Sequence, residues 1–342
     1  MLPVSVIIPA RNEGDNIARL IESLRTQIAP PAEIIVVDAG STDDTAKKAA
    51  EAGAKVILVD RAYPGQARNI GIRHAQYDII ACWDASMRVA PDTLNKLVTP
   101  LLQGQADLVQ GHLEIKPQSL VSSIYLLLLL PPHNYHLPDG TKMYAPPVAC
   151  TAFRRNLWEA VNGFRPWRAR EDSDFRKRLM TLNPRIQYIP EAVSYWEAAD
   201  SWVSLLRKVR LYGRHNLLSG QPREWYASLV KVYSAYLAAS LTAGILGGLG
   251  TGIGSFIAMT LGGGLLRALR KIFRHGAAFK EKTSQNPYAP RIIFLTTGLL
   301  VATDIASFLG AMDWLLLDKL KLKPERFPEP TVLGELLPPL PQ

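Results

Sequence analysis

The sequence predicts an α/β domain on a mostly parallel sheet, followed by an apolar helical region suited to a membrane. Three observations carry this reading. Short β-branched runs alternate with amphipathic helical patterns through the first half of the chain. Polar clusters recur just past successive strands, where sheets of this kind bind ligands. Residues 232–266 contain no charged side chain.

The elements follow in order. A strand is expected over 4–8, then a helix near 15–27, a strand over 33–38 and a helix near 42–52. Strands over 55–59, 78–83 and near 107–111 come next, with helices over 67–74 and 91–102 between them. Apolar strands separated by amphipathic helices imply a sheet covered on both faces. The opening run meets Arg11 and Glu13 at once, so it reads as a buried first strand and not as a signal peptide. The segment 126–130, followed by Pro131 and Pro132, is too short to span a bilayer and is expected to be a core or interfacial helix.

The uncharged stretch 232–266 would be about 52 Å long as one helix at ~1.5 Å per residue, well beyond the ~30 Å of a hydrocarbon core. Glycines 247, 248, 250, 252 and 254 lie at its middle, which predicts the turn of a helical hairpin. Boundaries follow: a domain over 1–220 and a membrane region over 221–318. The latter divides into a hairpin at about 229–267, a basic loop over 267–291 and a third apolar segment over 292–317. Basic residues flank the hairpin on both sides, which places both flanks in the cytosol. The third segment contains Asp304 and Asp313, and a carboxylate at membrane depth is costly unless paired. A full crossing would export the positive charges that follow it, Lys319, Lys321, Lys323 and Arg326, so a re-entrant or interfacial arrangement stays open. The Pro-rich tail, 319–342, is expected to be irregular.

A chain of 342 residues with 39 Lys+Arg against 30 Asp+Glu, a formal charge of +9, favours anionic partners such as nucleotide phosphates or lipid headgroups. Nucleic acid fits the charge equally, and charge alone does not choose among these partners. Cys82 and Cys150 sit in apolar runs with no second Cys or His at metal spacing, which argues against a disulfide framework or zinc site.

Four polar clusters carry the chemistry: Pro9-Ala10-Arg11-Asn12-Glu13, Asp38-Ala39-Gly40-Ser41-Thr42-Asp43, Gly65-Gln66-Ala67-Arg68-Asn69-Ile70-Gly71 and Asp84-Ala85-Ser86. Singly, each reads as a loop or helix cap. Their order on successive strands is the specific signal. With Val-Ser-Val-Ile-Ile-Pro-Ala-Arg-Asn-Glu (4–13), Val-Val-Asp-Ala-Gly-Ser-Thr-Asp (36–43), Ala-Arg-Asn-Ile-Gly (67–71) and Trp-Asp-Ala-Ser (83–86), the chain resembles the inverting glycosyltransferases of family 2, which have a GT-A fold. The resemblance extends through Arg170-Glu171-Asp172-Ser173-Asp174 to Arg207-Lys208-Val209-Arg210, roughly the first 215 residues, and leaves out the apolar region.

The resemblance implies a hexosyltransferase with a nucleotide-sugar donor of UDP or GDP type and no nucleic-acid partner. Pro9, Arg11, Glu13 and Asp38 would line the nucleoside pocket, with Arg68 near base or phosphates. Asp84-Ala85-Ser86 aligns with an Asp-x-Asp motif that contacts the donor ribose and a Mg²⁺ or Mn²⁺ ion. Ser86 replaces the second carboxylate by a neutral hydroxyl, which weakens metal capture. Glu197, in Tyr195-Trp196-Glu197 where the family commonly has His, is a second anionic oxygen for a metal, or a surface glutamate. Arg207 and Arg210 fall where relatives carry an Arg-rich motif against the diphosphate; a basic helix face on lipid headgroups is the alternative. Asp172 would be the general base and Glu171 its neighbour, although a helix dipole favours acidic residues in a first turn anyway.

The function expected is transfer of one sugar to a membrane-associated acceptor, lipid-linked or a growing surface polysaccharide, by a multi-pass cell-membrane protein with its catalytic domain on the cytosolic side. A non-catalytic nucleotide-sugar-binding or scaffolding protein is the alternative. A sugar-nucleotide pyrophosphorylase would want a Gly-rich basic phosphate loop after the first strand, which 9–14 does not supply.

Overall fold

The computed structural model describes residues 1–117, 119–129, 134–136, 142–144, 148–197, 201–322 and 328–338. Two compact units emerge: Met1–Lys116, His133–Glu197 and Arg326–Gln342 form the first, and Pro117–Pro132 with Ala198–Glu325 the second.

The first unit begins with β1 (Leu2–Ala10), α1 (Ile17–Arg25), β2 (Pro31–Ala39), α2 (Thr45–Glu51), β3 (Lys55–Val59), α3 (Pro64–His74), β4 (Ile79–Cys82) and β5 (Met87–Val89). After α4 (Thr93–Leu102) and β6 (Leu108–Lys116) the chain contributes α5 (Leu120–Leu129) to the second unit. It returns as β7 (Asn134–His136), β8 (Lys142–Tyr144), β9 (Thr151–Arg154), α6 (Arg155–Ala160), α7 (Glu171–Met180) and β10 (Ile186–Glu197). β7 and β8 make a small antiparallel pair.

β3, β2, β1 and β4 lie side by side in parallel, so the first four sheet strands obey the α/β rule read from the sequence. Beyond β4 the sheet is mixed. β9 runs antiparallel to β4 and β6, and β10 is parallel to β6 but antiparallel to β5. Alternate residues of β1 serve opposite cores. Val4, Val6 and Ile8 pack with Leu20, Ile21 and Leu24 of α1, while Ile7 packs with Ala67 and Ile70 of α3 and Phe175 of α7. In α1 the buried residues Ile17, Leu20, Ile21 and Leu24 keep the spacing of one helical face. Cys82 and Cys150 are buried in these cores.

The second unit contains α5, α8 (Trp202–Leu218), α9 (Pro222–Gly247), α10 (Leu249–Thr283) and α11 (Pro290–Asp313), which runs into a π-helical turn at Trp314–Lys319. Among the described residues three helices, Trp225–Gly247, Leu249–Thr283 and Pro290–Lys319, are long and apolar enough to cross a membrane. The hairpin turn falls at Gly248, whose φ of +85° belongs to the region glycine alone enters freely. The segment 267–291, expected to be a loop, is instead helical through Thr283. Arg and Lys are good helix formers, and Gly264, Ala268, Ile272 and Gly276 bury one side of that helix at four-residue spacing. Helix α5 packs Ile124 against Leu205, Val209 and Leu299, and Leu127 against Ile272 and Phe279, as a core helix does. Pro131 and Pro132 lie outside the described residues.

Asp304 is buried and paired. Arg267 donates to both its oxygens, at 3.2 and 2.5 Å, and the Tyr233 hydroxyl donates to Oδ2 at 2.9 Å. That satisfies the condition for a carboxylate among apolar helices.

The tail departs from expectation. Residues 332–336 form β11 (Val332–Leu336), antiparallel to β3 at the sheet edge. An uncovered edge presents unpaired backbone donors and acceptors, and five residues from the far end of the chain satisfy them. Residues 323–327 and 339–342 lie outside the described part.

Candidate active site

Two polar groupings stand at the carboxyl ends of the central parallel strands. The first joins the loops after β1 and β2. Asp38, buried near the end of β2, accepts from Ser41 N at 3.2 Å and from the Ser41 hydroxyl. Ser41 Oγ accepts from Asn12 N at 2.9 Å, and Asn12 Oδ1 accepts from Thr42 N at 2.8 Å. Asn12 sits at φ 54°, a left-handed conformation its side chain tolerates. Glu13 N donates to Thr45 Oγ1 at 2.8 Å, and Glu13 Oε2 accepts from Asn16 at 3.0 Å. Of the expected pocket residues, Glu13 and Asp38 enter this network. Pro9 is half-buried in β1 and Arg11 is exposed beside it.

The second grouping is built around Arg68 in the second turn of α3. Its Nη2 donates to Asp84 Oδ1 at 2.6 Å and its Nη1 to Glu171 Oε1 at 3.0 Å. The guanidinium side chain is 5% exposed, Glu171 9% and Asp84 41%. Trp83, fully buried, donates from Nε1 to Ser194 Oγ at 2.8 Å and so fixes the strand end that presents Asp84. Phe164 lies 5.7 Å from Arg68 Cζ and stacks on Phe175, which floors the cluster with aromatic carbon.

Helix α7 supplies the acidic wall. It starts at Glu171 behind Arg170 at φ 73°, and Glu171, Asp172 and Asp174 occupy its first turn. Asp172 is half-buried and its Oδ1 accepts from Ser173 N at 2.6 Å. Burial, with the Asp172 carboxylate next door, pushes the Glu171 carboxyl up, and the Arg68 charge offsets only part of that rise. Arg68 itself is held firmly charged: Asp84 and Glu171 together outweigh its burial.

The motif 65–71 now has a physical account. A Cβ on Gly65 would lie 2.6 Å from the Arg165 carbonyl and 3.1 Å from Glu171 Cγ, so only glycine lets α3 approach α7 this closely. Asn69 staples the loop that precedes α7. Its amide donates to Phe164 O at 2.8 Å and its oxygen accepts from Phe164 N and Trp158 Nε1 at 2.8 and 2.9 Å. Sequence reasoning quoted Asn69 without giving it a task; its partners lie about ninety positions away.

β1 pairs with both β2 and β4, so Asp38 and Asp84 are two strand spacings apart, about 10 Å. That span suits a nucleoside and its phosphates. For a divalent cation the chain offers Asp84, whose Oδ1 is already held by Arg68, and the half-buried Ser86. Among the described residues no group of three or more His, Cys, Asp or Glu is placed to hold a metal ion. The backbone of Glu197 pairs with Lys116, and its side chain lies outside the described part. These residues fit a cation that arrives with a diphosphate and takes most of its oxygens from phosphate and water.

Arg207 and Arg210 belong to α8 of the second unit. Arg207 is exposed. Arg210 donates from Nε and Nη2 to the two oxygens of Asp313, both at 2.6 Å.

Residues 5–160 match the sequence family described as Glycosyl transferase family 2. The chain is 39% identical over 112 residues, 31% of its length and 33% of the relative's, to the uncharacterized glycosyltransferase YibD of Escherichia coli. It is 33% identical over 130 residues, 36% of this chain and 33% of the relative, to 4,4'-diaponeurosporenoate glycosyltransferase of Staphylococcus aureus. These matches span about a third of each relative. Among solved structures, the mannosyltransferase PcManGT from Pyrobaculum calidifontis, in complex with GDP-Man and Mn²⁺, superposes with a TM-score of 0.52 at 19% identity, over 92% of this chain and 87% of that one. At that identity the superposition speaks for the fold.

Proposed function

We propose that the protein, whose residues 5–160 match the family 2 glycosyltransferases, transfers a sugar from a nucleotide-sugar donor to a membrane-associated acceptor, lipid-linked or a surface glycan, with inversion. The observation that carries this reading is the Arg68 fork divided between Asp84 and Glu171, with Asp172 beside them. It joins the strand end suited to the donor to the helix turn suited to the acceptor.

In the proposed reaction the acceptor hydroxyl attacks the anomeric carbon, the bond from that carbon to the phosphate oxygen breaks, and the nucleoside diphosphate leaves with the electron pair. Asp172 takes the hydroxyl proton. Glu171 holds Arg68, and Arg68 holds Asp84 in turn, so the base and the donor-side carboxylate share one rigid support. Pro9, Arg11, Glu13 and Asp38 surround the nucleoside. A Mg²⁺ or Mn²⁺ ion, when bound through Asp84 and Ser86, would supply charge neutralisation on the leaving diphosphate. Arg207 and Arg210 enter only as candidates to be tested by substitution. The helical hairpin Trp225–Gly247 and Leu249–Thr283, read as two spans, holds the chain at the cell membrane with the sheet unit on the cytosolic side, and the third apolar helix, Pro290–Lys319, read as re-entrant, leaves β11 on the same side as its partner β3.

Turnover of UDP- and GDP-sugars by the purified full chain tests this, with Asp172→Asn as control. The variant should lose on the order of 10²- to 10⁴-fold in turnover while donor affinity, by calorimetry, stays the same. Full turnover in Asp172→Asn rejects the base. Donor binding with no turnover across acceptors favours the non-catalytic reading.

A further inference from the structure

The C-terminal strand reaches the site as well as the sheet edge. Before β11 begins, the Pro328 carbonyl accepts from Gln66 Nε2 at 2.7 Å. Thr331 and Asp60 then clasp each other: Asp60 N donates to Thr331 O at 3.1 Å, and Thr331 N donates to Asp60 Oδ1 at 2.8 Å. β11 pairs along β3 with Gly334 opposite Leu58 and Leu336 opposite Val56. Glu335 stands 3.1 Å from Lys55 and 3.8 Å from His74, the last residue of α3. The segment 328–336 therefore touches the loop that enters α3, the first turn of α3 and its last residue.

Gln66 is the pivot. Its Oε1 accepts from Tyr63 N at 3.0 Å, closing the cap of α3, while its Nε2 is spent on the tail. Two residues further on, Arg68 must meet carboxylates on two different elements at 2.6 and 3.0 Å. Such a constellation tolerates displacements of only about 0.5 Å, so a small tilt of α3 breaks one of the two contacts.

We infer that residues 328–336 are a positioning strap for the donor site, acting through Gln66 on the first turn of α3 and thereby on Arg68. This rests on the site reading above, and it makes Gln66 a positioning residue. It also gives the chain beyond the apolar helices a task in the sheet unit.

The test uses two variants. Gln66→Glu keeps an oxygen to accept from Tyr63 N but replaces the amide donor by a carboxylate facing the Pro328 carbonyl. A chain ended after residue 327 removes the strap, and a synthetic peptide of residues 328–342 is added back to restore the strand by edge pairing. The readouts are amide hydrogen exchange over residues 64–70 and donor KM set against kcat. In Gln66→Glu, exchange in the first turn of α3 should rise about five- to tenfold, the worth of one hydrogen bond. Donor KM should rise by a similar factor with kcat within about twofold. The shortened chain should exceed both effects, and the peptide should reverse them. Unchanged exchange and donor KM in Gln66→Glu overturn the inference, whether or not the shortened chain folds. If the unsubstituted protein turns over no donor, the glycosyl-transfer reading fails, and the exchange measurements still decide the strap.

Discussion

In the helical unit three guanidinium forks each grip a carboxylate with both prongs. Arg267 grips Asp304, Arg210 grips Asp313, and Arg214 grips Asp318 at 2.7 and 2.8 Å. In the sheet unit Arg68 divides its fork between Asp84 and Glu171, with Asp172 adjoining, so one guanidinium faces three carboxylates. A saturated pair is complete and gains nothing from a ligand. The Arg68 cluster instead holds a carboxyl whose protonation is displaced by burial and a neighbouring carboxylate, a perturbation that gathers at functional sites. Arg185 grips Asp107 in the same matched way within the sheet unit, so the contrast lies between the Arg68 cluster and the matched pairs.

The strongest way to break this contrast is to remove the cation from each. Arg68→Met leaves Glu171 buried without its partner and should cost about 3 kcal/mol of stability at neutral pH, with loss of turnover. Arg267→Met should cost a similar amount, but adding Asp304→Leu to it should recover most of the loss, because an apolar replacement of a whole buried pair is close to neutral. Adding Glu171→Leu to Arg68→Met should not recover turnover. Chemical denaturation and donor turnover on the parent and these four variants check this.

Burial of Glu171 beside the Asp172 carboxylate also predicts a pH effect. Because the Glu171 carboxyl is raised in the folded chain, its protonated form contributes stability that is fully present below its ordinary value of 4.5 and is lost as pH rises through the raised value. Melting temperature measured against pH should therefore fall on the alkaline side of 4.5 more steeply in the unsubstituted protein than in Glu171→Gln. Equal slopes would mean that Arg68 neutralises Glu171 completely, and the Arg68 cluster would then differ less from the matched pairs than their geometry suggests.

How much of this was legible in the sequence follows from the range of the interactions. β3 occupies the predicted residues 55–59, and α7 begins at the predicted acidic pair, because β-branched runs and acidic first turns are local signals. The polar clusters past β1, β2 and β4 were visible for the same reason. The division of the Arg68 fork was not: its partners are 16 and 103 positions away, and no local pattern selects them. β11 was hidden more deeply. Its five residues sit in a proline-rich tail, and their partner strand lies more than 270 positions earlier, so composition pointed to irregular chain. The basic stretch after the hairpin was misread as a loop because charge was weighed over helix propensity and over the four-residue spacing of its buried side.

A smaller effect bears on the donor side of the Arg68 cluster. Ser86→Asp restores a second carboxylate, and Mn²⁺ affinity measured by calorimetry with a nucleoside diphosphate present should tighten by roughly tenfold, since anionic oxygen count sets affinity for such ions. No tightening would mean that the loop after β4 does not face the diphosphate.

The smallest expected effect concerns Arg210, which the family pattern assigns to the diphosphate and which the structure pairs with Asp313. Its side chain is 49% exposed, so the pair contributes at most about 1 kcal/mol. Arg210→Lys keeps the charge but loses the two-pronged geometry. If Arg210 belongs to the saturated class, the variant should melt within a few degrees of the parent and keep kcat within about fivefold. A residue that stabilises charge on a leaving diphosphate would instead lose about 10²-fold in kcat. Asp313→Asn separates the two further: a structural pair loses no more than Arg210→Lys does, whereas freeing a diphosphate ligand from its carboxylate would raise donor affinity. Such a rise would move Arg210 out of the balanced class and into the site.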